Sequence, residues 1–462
     1  MELQEVSTDN NEGPEFKAGS MSFSLDKFLF HNEKGKTFNT REGKLSASIE
    51  NIAVRKNEAG AWDWKGKLAE LTASNFILDS LDKTGGKLVI NSAKLDDLSI
   101  SSGLLLNLYE LVKQNTSFRL KDITGSYQNS RNRFEWNNIN FNKHTHDLTI
   151  DSFSYRPLQT QAEFVKSHPY QIDYAIIKTG KVEMRGVDMD RFLKDTILDL
   201  QSISVDNAWL DDFRDKRIPR QPGVVRPLPV GHLKQFPVKL SVDSLQLRNA
   251  WVKYGEFNEK TEAAGWVHVN RLNGLITQIR NYGATDTDSL AIQATAYLED
   301  SVFTALQVKG SYTDTLGGFR MQVQMGKADL RVMNAALAPL AGASLKSGML
   351  DTLWMDVTGH DYMAYGEMTM AYHDLKVMLT GKSNSERKSF FRGAVNSLVN
   401  TILKNKNTDR KGTVFFIRLQ DRSAMNYLVK ITLSGVGSSV GLGKNKRQLR
   451  RYLRRTARNN KS

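Results

Sequence analysis

Apolar and polar residues alternate along much of this chain, but the alternation slips repeatedly by one position. In residues 238–254, VKLSVDSLQLRNAWVKY, apolar residues stand at 238, 240 and 242, then at 245 and 247, then at 250, 252 and 254. A period of two predicts a β-strand, because successive side chains point to opposite faces of a sheet. A slip of one residue moves every later side chain to the other face unless the backbone compensates for it.

The same slip recurs as an eight-residue pattern in which two polar residues separate two short alternating runs. It occupies the windows 47–54, 88–95, 134–141, 148–155, 182–189, 198–205, 240–247 and 370–377. A β-bulge at the polar pair would return the later side chains to the original face and bend the strand. A tight turn between two short strands is the alternative. Both interpretations predict a mainly antiparallel β fold.

Two stretches carry the mark of a duplicated unit. SISVDNAWL (202–210) and SLQLRNAWV (244–252) share Ser, two apolar positions and Asn-Ala-Trp at an offset of 42 residues. The offsets between the other windows vary, which argues against a solenoid of fixed repeat length. The expected fold is an elongated, curved antiparallel sheet that forms a groove or half-barrel, with a few short helices and a basic C-terminal helix.

Helical periodicity and proline content divide the chain further. Helices are predicted at 102–114, 188–198, 328–340 and 387–404, and two or three paired strands are predicted within 348–379. Five of the nine prolines lie between 218 and 237. The predicted organisation is a flexible lead (1–20), a β-groove segment (21–217), a Pro-rich loop or boundary (218–237), a second β-groove segment (238–385), and a basic C-terminal region with an amphipathic helix, a strand pair and an Arg-rich tail (386–462).

The positive charge of the chain is local. The 462 residues carry a net charge of +14, yet residues 386–462 contain 19 Lys and Arg against 3 Asp and Glu, which leaves 45 against 47 elsewhere. The main body is therefore neutral, and the charge does not predict a nucleic-acid-binding fold. No apolar run approaches the length of a spanning helix, and the absence of cysteine excludes disulfides and thiolate chemistry.

Catalytic and metal-binding signatures are missing from the sequence. Eight histidines are scattered, H-E-x-x-H and G-x-S-x-G do not occur, and the glycine run 435–443 has the wrong spacing for a nucleotide-binding loop. That run is expected to allow close packing or a flexible exit from a strand. We expect a protein that is not an enzyme and needs no cofactor or metal.

Two segments resemble a known family. LPVGHLKQFPVKLSVDSLQLRNAWVKYGE (228–256) and LKSGMLDTLWMDVTGHDYMAYGEMTMAYHDLKVML (345–379) are similar to the C-terminal part of AsmA-like envelope proteins (AsmA/TamB-type repeating β-groove), especially the forms of Bacteroidetes-type bacteria. The resemblance extends over roughly 80–462. It implies a β-groove protein on the periplasmic side of the inner membrane that moves phospholipid toward the outer membrane. The N-terminal anchor of that family is not present in this chain, which therefore resembles a truncated form.

An apolar groove of this kind would hold acyl chains, and phospholipid is the expected ligand. The residues expected to line it are Leu88, Ile90, Leu148, Ile150, Phe153, Leu200, Ile203, Val205, Leu240, Val242, Leu245 and Leu247. Ordinary sheet core is the alternative role for these side chains. Two other functions compete with lipid transfer, namely an assembly scaffold that binds envelope proteins and a nucleic-acid binder that uses the basic tail. The near absence of aromatic residues in the tail argues against nucleic acid.

The tail KNKRQLRRYLRRTAR (444–458) is predicted to be a helix with a narrow apolar stripe of Leu449, Tyr452, Leu453 and Ala457. Such a helix favours an anionic membrane surface. The residues expected to contact the membrane are Lys446, Arg447, Arg450, Arg451, Arg454 and Arg455. A solvated basic terminus is the alternative.

Overall fold

The computed structural model of the protein describes residues 2–9, 15–26, 29–31, 37–39, 43–57, 59–78, 85–104, 107–379, 404–442 and 444–459. These residues form two compact units, one of residues 1–160 and 176–206, the other of residues 161–175 and 207–462. The helix predicted at 387–404 lies outside the described residues, apart from residue 404.

The first unit is built from antiparallel strands. They are β1 (Glu2–Asp9), β2 (Glu15–Asp26), β3 (Leu29–His31), β4 (Thr37–Asn39), β5 (Lys44–Lys56), β6 (Trp62–Leu78), β7 (Lys87–Ser101), β8 (Arg119–Gln128), β9 (Asn132–Asn142), β10 (Asp147–Ile150), β11 (Ser152–Pro157), the end of β12 (Asp173–Thr179), β13 (Val182–Arg185) and β14 (Ile197–Asp206). Its described helices are α1 (Leu108–Gln114) and α3 (Met189–Asp195). Strands β1, β2 and β5 to β9 pair in that order, and β9 then pairs with both β10 and β11.

The second unit combines a longer meander with helices. Its strands are β15 (Trp209–Asp215), β16 (Lys239–Asn258), β17 (Ala263–Arg280), β18 (Ser289–Leu298), β19 (Val302–Ser311), β20 (Phe319–Met325), β21 (Ala328–Asp329), β22 (Ala343–Gly359), β23 (Met363–Leu379) and β24 (Lys411–Ile417). Its helices are α2 (Gln161–Lys166), α4 (Pro229–Lys234), a 3-10 turn (Leu330–Met333), α5 (Asn334–Ala341), α6 (Ala424–Ser439) and α7 (Asn445–Asn459). The Pro-rich segment 218–237 lies within this unit and includes α4.

The mainly β class and the curved sheet are confirmed, with one qualification about strand direction. Strands β15 and β16 run parallel, so the sheet is mixed rather than wholly antiparallel. Their register pairs Trp209 with Trp251 and every following residue with its counterpart 42 positions later. The two indole rings stack with centroids 5.1 Å apart and an interplanar angle of 6°. The Trp ends of the two duplicated stretches therefore lie side by side in register, whereas residues 202–206 of the first copy belong to β14.

The bulge interpretation is confirmed for half of the windows. The strand register shifts at the polar pair in windows 47–54, 88–95, 134–141 and 370–377. In three of these the second polar residue has a left-handed backbone, namely Asn51, Asn138 and Asp374 with φ of 53, 48 and 55°. Asn and Asp tolerate this conformation better than other residues with a Cβ atom.

The other windows behave differently. In 240–247 the register passes Asp243 and Ser244 unchanged, and the bulge comes later, at Asn249 with φ of 52°. In the window 182–189, β13 ends at Arg185, and Gly186 with φ of 75° leads into helix α3 and not into a second strand, so neither interpretation describes this window. In 148–155 the strand breaks at Asp151, yet both halves keep one register against β9.

Two predicted elements were wrong. The lead 1–20 is not free chain, because β1 pairs with β2. The strand pair predicted near the C-terminus is one strand, β24, followed by helix α6. Ser423 caps this helix by accepting a hydrogen bond from the Asn426 N–H, and Tyr427, Ile431 and Gly435 recur on its buried face. Capping and packing with a helical period override the strand-like alternation.

Helix α6 covers one end of the second unit. Beneath it lies a core in which the side chains of Met355, Met368 and Val414 are 0% exposed. Gly435 permits the close approach, since a Cβ atom there would lie 2.6 Å from Met368 Cε. The close packing expected of the glycine run is confirmed at this residue. No helix among the described residues is long and apolar enough to cross a bilayer.

Candidate functional site

One face of the first unit carries an unbroken apolar row across nine strands. Each member is the direct cross-strand partner of the next. The row consists of Phe23, Ala47, Leu71, Leu95, Leu120, Phe141, Leu148, Met184 and Ile203. Direct partners point to the same side of a sheet, so this is one continuous apolar surface.

A second, aromatic row crosses strands β6 to β9, β11 and β12. Its directly paired members are Leu78, Leu88, Tyr127, Phe134, Tyr155 and Ile177. The Phe134 ring lies 5.1 Å from the Tyr155 ring and 6.5 Å from the Phe153 ring between centroids. A neighbouring row adds Phe76, Ile90, Trp136 and Phe153.

The backbone bulges that lie between the two rows keep the side chains of both rows on one side of the sheet. In β9 the apolar residues Phe134 and Trp136 precede the kink at Asn138, and Ile139 and Phe141 follow it. Counting the two residues of the bulge as a single position leaves all four side chains on the same face. We call this surface, formed by the rows named above, the apolar face of the first unit.

The opposite face is polar. On seven of the nine strands, the residue next in sequence to the member of the apolar row points to the opposite face, and these neighbours pair directly with one another. They are Glu70, Asp96, Arg119, Asn142, Asp147, Arg185 and Ser202. A cavity of about 680 Å³ in the first unit is lined by charged residues that include Lys87, Arg133, Glu135 and Lys178. The same cavity is also lined by Trp136 and Phe153 of the apolar face, so its lining combines polar and charged groups with aromatic side chains.

The structure brings together most of the predicted groove residues of the first unit. Five of them belong to the rows of the apolar face, namely Leu88, Ile90, Leu148, Phe153 and Ile203. Ile150 and Val205 each lie two residues along a strand from a member of the nine-strand row, and both pair with Val182. All seven remain partly exposed. Leu200 on β14 is buried, with 5% exposure. Within the nine-strand row Ala47 and Phe141 are buried, and the other seven members are partly exposed, which distinguishes this face from a fully closed core.

The remaining four predicted residues belong to the second unit. Leu240, Leu245 and Leu247 on β16 are partly exposed, whereas Val242 is buried with 2% exposure. Leu245 begins a row that runs through Ile276, Ile292, Val308, Met321 and Val357 toward β24. This row ends in the core under α6, so in the second unit the apolar surface is ordinary sheet core at one end.

Charged groups interrupt the apolar surface of the second unit. Asp212 pairs with Tyr254 and Arg214 with Glu256 in the register of β15 and β16. Arg214 Nε donates to Asp173 Oδ1 at 2.5 Å, and the Tyr254 hydroxyl donates to Glu256 at 3.0 Å. Burial raises the pKa of Asp212 to about 6, and repulsion from Asp173 adds to the effect. Burial likewise raises the pKa of Tyr254.

The basic tail forms helix α7, as predicted, but part of its apolar stripe is already occupied. The Tyr452 ring packs 5.9 Å from the Phe415 ring of β24, and Leu449 is also half-buried. Leu453 remains 52% exposed. The side chains of Lys446, Arg447, Arg450, Arg451 and Arg454 are exposed, while that of Arg455 lies outside the described side chains.

Sequence reasoning missed the aromatic row and the helix that closes the second unit. Four aromatic residues of this row and the neighbouring one lie on strands with an alternating apolar and polar pattern, namely Tyr127, Phe134, Trp136 and Tyr155. That pattern does not reveal which strands pair with one another.

Within the described residues no group of three or more His, Asp and Glu side chains could hold a metal ion. His146 Nδ1 lies 3.2 Å from the Val187 carbonyl oxygen. Comparison of the chain with protein-family models and with curated proteins found no match.

Proposed function

We propose that the protein binds phospholipid acyl chains on the apolar face of the first unit and transfers them without catalysing a reaction. The observation that carries the proposal is the nine-strand apolar row with a charged row on the reverse of the same strands. A sheet with one partly exposed apolar face needs a cover, and hydrocarbon chains supply one.

The dimensions and energies are adequate for this ligand. Nine strands at a spacing of about 4.8 Å extend over about 38 Å, which exceeds the hydrocarbon thickness of about 30 Å of a whole bilayer. Each methylene that leaves water contributes about 0.8 kcal/mol, so ten of them contribute about 8 kcal/mol without any polar contact. Rings such as Phe134 and Tyr155 add broad contact surfaces.

The resemblance to AsmA-like proteins supports a setting for this activity. On that basis we place the protein on the periplasmic side of the bacterial inner membrane, where it would supply phospholipid for outer-membrane biogenesis. Its expected partners are phospholipid, anionic membrane surface and envelope proteins.

Lipid extraction and transfer assays test the proposal. Purified protein should release phospholipid into organic solvent, detected by mass spectrometry, and should move labelled lipid between vesicles. Leu148→Asp places a charge on the apolar face and should reduce transfer several-fold. Thr149→Asp, on the same strand but the other face, is the matched control and should transfer normally. Folded protein that carries no lipid and shows no transfer would refute the proposal.

A scaffold that binds envelope proteins is the second candidate, and the second unit favours it. There α6 closes the same kind of apolar surface into a core with Met355 and Met368 fully buried. If the face of the first unit is closed in the same way, Leu148→Asp should unfold the protein rather than abolish transfer. Circular dichroism of the variant separates the two outcomes.

Nucleic acid has less support. Tyr452, the one aromatic residue of the tail, packs on Phe415 and is not free to stack on a base. Protein that binds no DNA or RNA at moderate salt would exclude this function.

A further inference from the structure

The turns at one end of the second unit expose an unusual concentration of large apolar side chains. Strands β19, β22 and β24 end here, and β20 and β23 begin here, because Gly310 pairs with Phe319, Phe319 with Gly359, and Met363 with Ile417. Six residues on these turns and on two adjoining segments are between 47 and 66% exposed. They are Val225, Leu316, Tyr362, Ile417, Leu419 and Met425, and we call them the apolar rim.

This concentration is specific to the rim. Among the described residues, eight large apolar side chains are more than half exposed, and five of the eight belong to the rim. The other three are Trp62 and Leu108 of the first unit and Leu453 of helix α7. Scattered exposed apolar residues need no explanation, but a cluster marks a contact surface.

Backbone hydrogen bonds join the rim segments into one structure. The Asp361 N–H donates to the Leu316 carbonyl at 2.9 Å, and the Arg418 N–H donates to the Tyr362 carbonyl at 2.8 Å. The Arg226 N–H donates to the Gln420 carbonyl at 2.9 Å. The rim segments can therefore move from water into lipid while these backbone groups keep their hydrogen bonds. A lipid environment requires this, because it offers no water to replace them.

A buried arginine holds the rim from below. The guanidinium group of Arg418 pairs with Asp361, donates to the Arg226 carbonyl and lies 5.5 Å from the centroid of the Tyr427 ring. Its side chain is 1% exposed. These contacts of Arg418 hold the segments that carry the rim residues in place.

The charges around the rim are largely paired with one another. Besides the Arg418 pair, Arg220 pairs with Asp421 at 2.8 Å, and Arg422 lies 3.7 Å from the same carboxylate. Four arginines, at 220, 226, 418 and 422, stand against three aspartates, at 314, 361 and 421. A nearly neutral, exposed apolar surface matches the surface of a zwitterionic bilayer, which has no net charge, better than it matches an anionic polymer.

We propose that the apolar rim inserts shallowly into the surface of a phospholipid bilayer and docks this end of the sheet there. Insertion depends on apolar contact, so it proceeds on zwitterionic lipid and persists in high salt. The rim acts separately from the basic helix α7 and does not require the apolar face to hold lipid.

Site-specific fluorescence provides the test. The chain has no cysteine, so a single introduced cysteine labels uniquely with an environment-sensitive dye. Dye at Leu419→Cys should shift to the blue and gain intensity with phosphatidylcholine vesicles, equally at 50 mM and 500 mM salt. Dye at Leu108→Cys should not respond, although Leu108 of the first unit is 62% exposed and Leu419 is 53% exposed.

A combined variant provides the second arm. Leu316→Ser, Leu419→Ser and Met425→Ser together should reduce flotation with phosphatidylcholine vesicles at least five-fold, while circular dichroism stays unchanged. Unaltered flotation of this folded variant, or an unresponsive dye at position 419, would overturn the proposal. So would loss of a co-purifying protein without any loss of vesicle binding. Lipid extraction and transfer are measured separately, so failure of docking is distinguishable from failure of the proposed function.

Discussion

At the scale of single residues, the sequence predicted several of the strand bulges but not the cross-strand contacts made around them. Polar pairs ending in Asn51, Asn138 or Asp374 marked positions where the backbone turns left-handed, because short polar side chains tolerate that conformation. The same reasoning failed at Asp243 and Ser244, since a local pattern cannot show how the neighbouring strand responds. The buried charges around Asp212 were invisible for the same reason.

Asp212 makes stability depend on pH. Its pKa is raised from 3.8 to about 6 in the folded protein, so the folded state holds a proton there more tightly than the unfolded state. The resulting stabilisation is complete below pH 4 and is lost as the pH rises through 6. The Asp212→Asn variant should therefore be more stable than the native protein at pH 7.5. Its free energy of unfolding should be higher by about 1 to 2 kcal/mol, after allowance for solvent screening. The two should converge near pH 4.

Urea denaturation at both pH values measures this difference. Asp211→Asn is the control, because Asp211 pairs with Lys253 at 3.1 Å in a partly exposed setting. It should change stability by less than about 0.5 kcal/mol. Equal stability of Asp212→Asn and native protein at pH 7.5 would contradict the account of the buried carboxyl.

At the scale of elements, helix α6 shows why a strand was predicted and a helix formed. Its sequence alternates, but its second half must lie against Met368 and Val414, and only glycine at 435 leaves the space. Helices near 102–114, 188–198 and 328–340 were predictable from periodicity, although each is shorter in the structure. Tertiary packing, which a single segment does not encode, decided the ends of these elements and the identity of α6.

Two glycines of α6 should respond oppositely to the same change. Gly435→Ala would place a Cβ atom 2.6 Å from Met368 Cε, which should cost about 1 to 3 kcal/mol through overpacking. Gly437→Ala meets nothing within 4 Å and should stabilise by about 0.5 to 1 kcal/mol through helix propensity. Thermal and urea unfolding of both variants provide the comparison. A stabilised Gly435→Ala protein would mean that the helix does not pack as described.

At the scale of the whole molecule, the fold class and the localisation of charge were readable from the sequence, but the closing of apolar surfaces was not. Alternation identified one apolar face per strand, yet the face is partly exposed around Leu148 and fully buried around Met355. What covers a face depends on elements distant in sequence. The candidate site was therefore predictable as a set of residues, whereas its degree of opening required the structure.

The basic helix α7 should add an electrostatic contribution to membrane binding. Replacement of Lys446, Arg447, Arg450, Arg451 and Arg454 by Gln should weaken binding to anionic vesicles at least ten-fold, since each cation near the surface contributes about 1 kcal/mol. Added salt should do the same, because the charges are exposed. Replacement of Lys44, Lys56, Lys65, Lys87 and Lys166 is the control with equal charge. If both variants lose binding equally, net charge rather than the helix is responsible.

The side chains along the outer edge of β24 determine what can happen to the sheet there. Ser438 Oγ accepts from the Thr413 N–H at 2.9 Å, Ser434 Oγ donates to the Phe415 carbonyl at 2.8 Å, and Asn445 Nδ2 donates to the Thr413 carbonyl at 2.7 Å. An open edge strand is a template on which another chain can continue the ladder. Here three short polar side chains already bond the backbone groups of Thr413 and Phe415 that a further strand would need. We therefore expect the protein not to polymerise through this edge at high concentration.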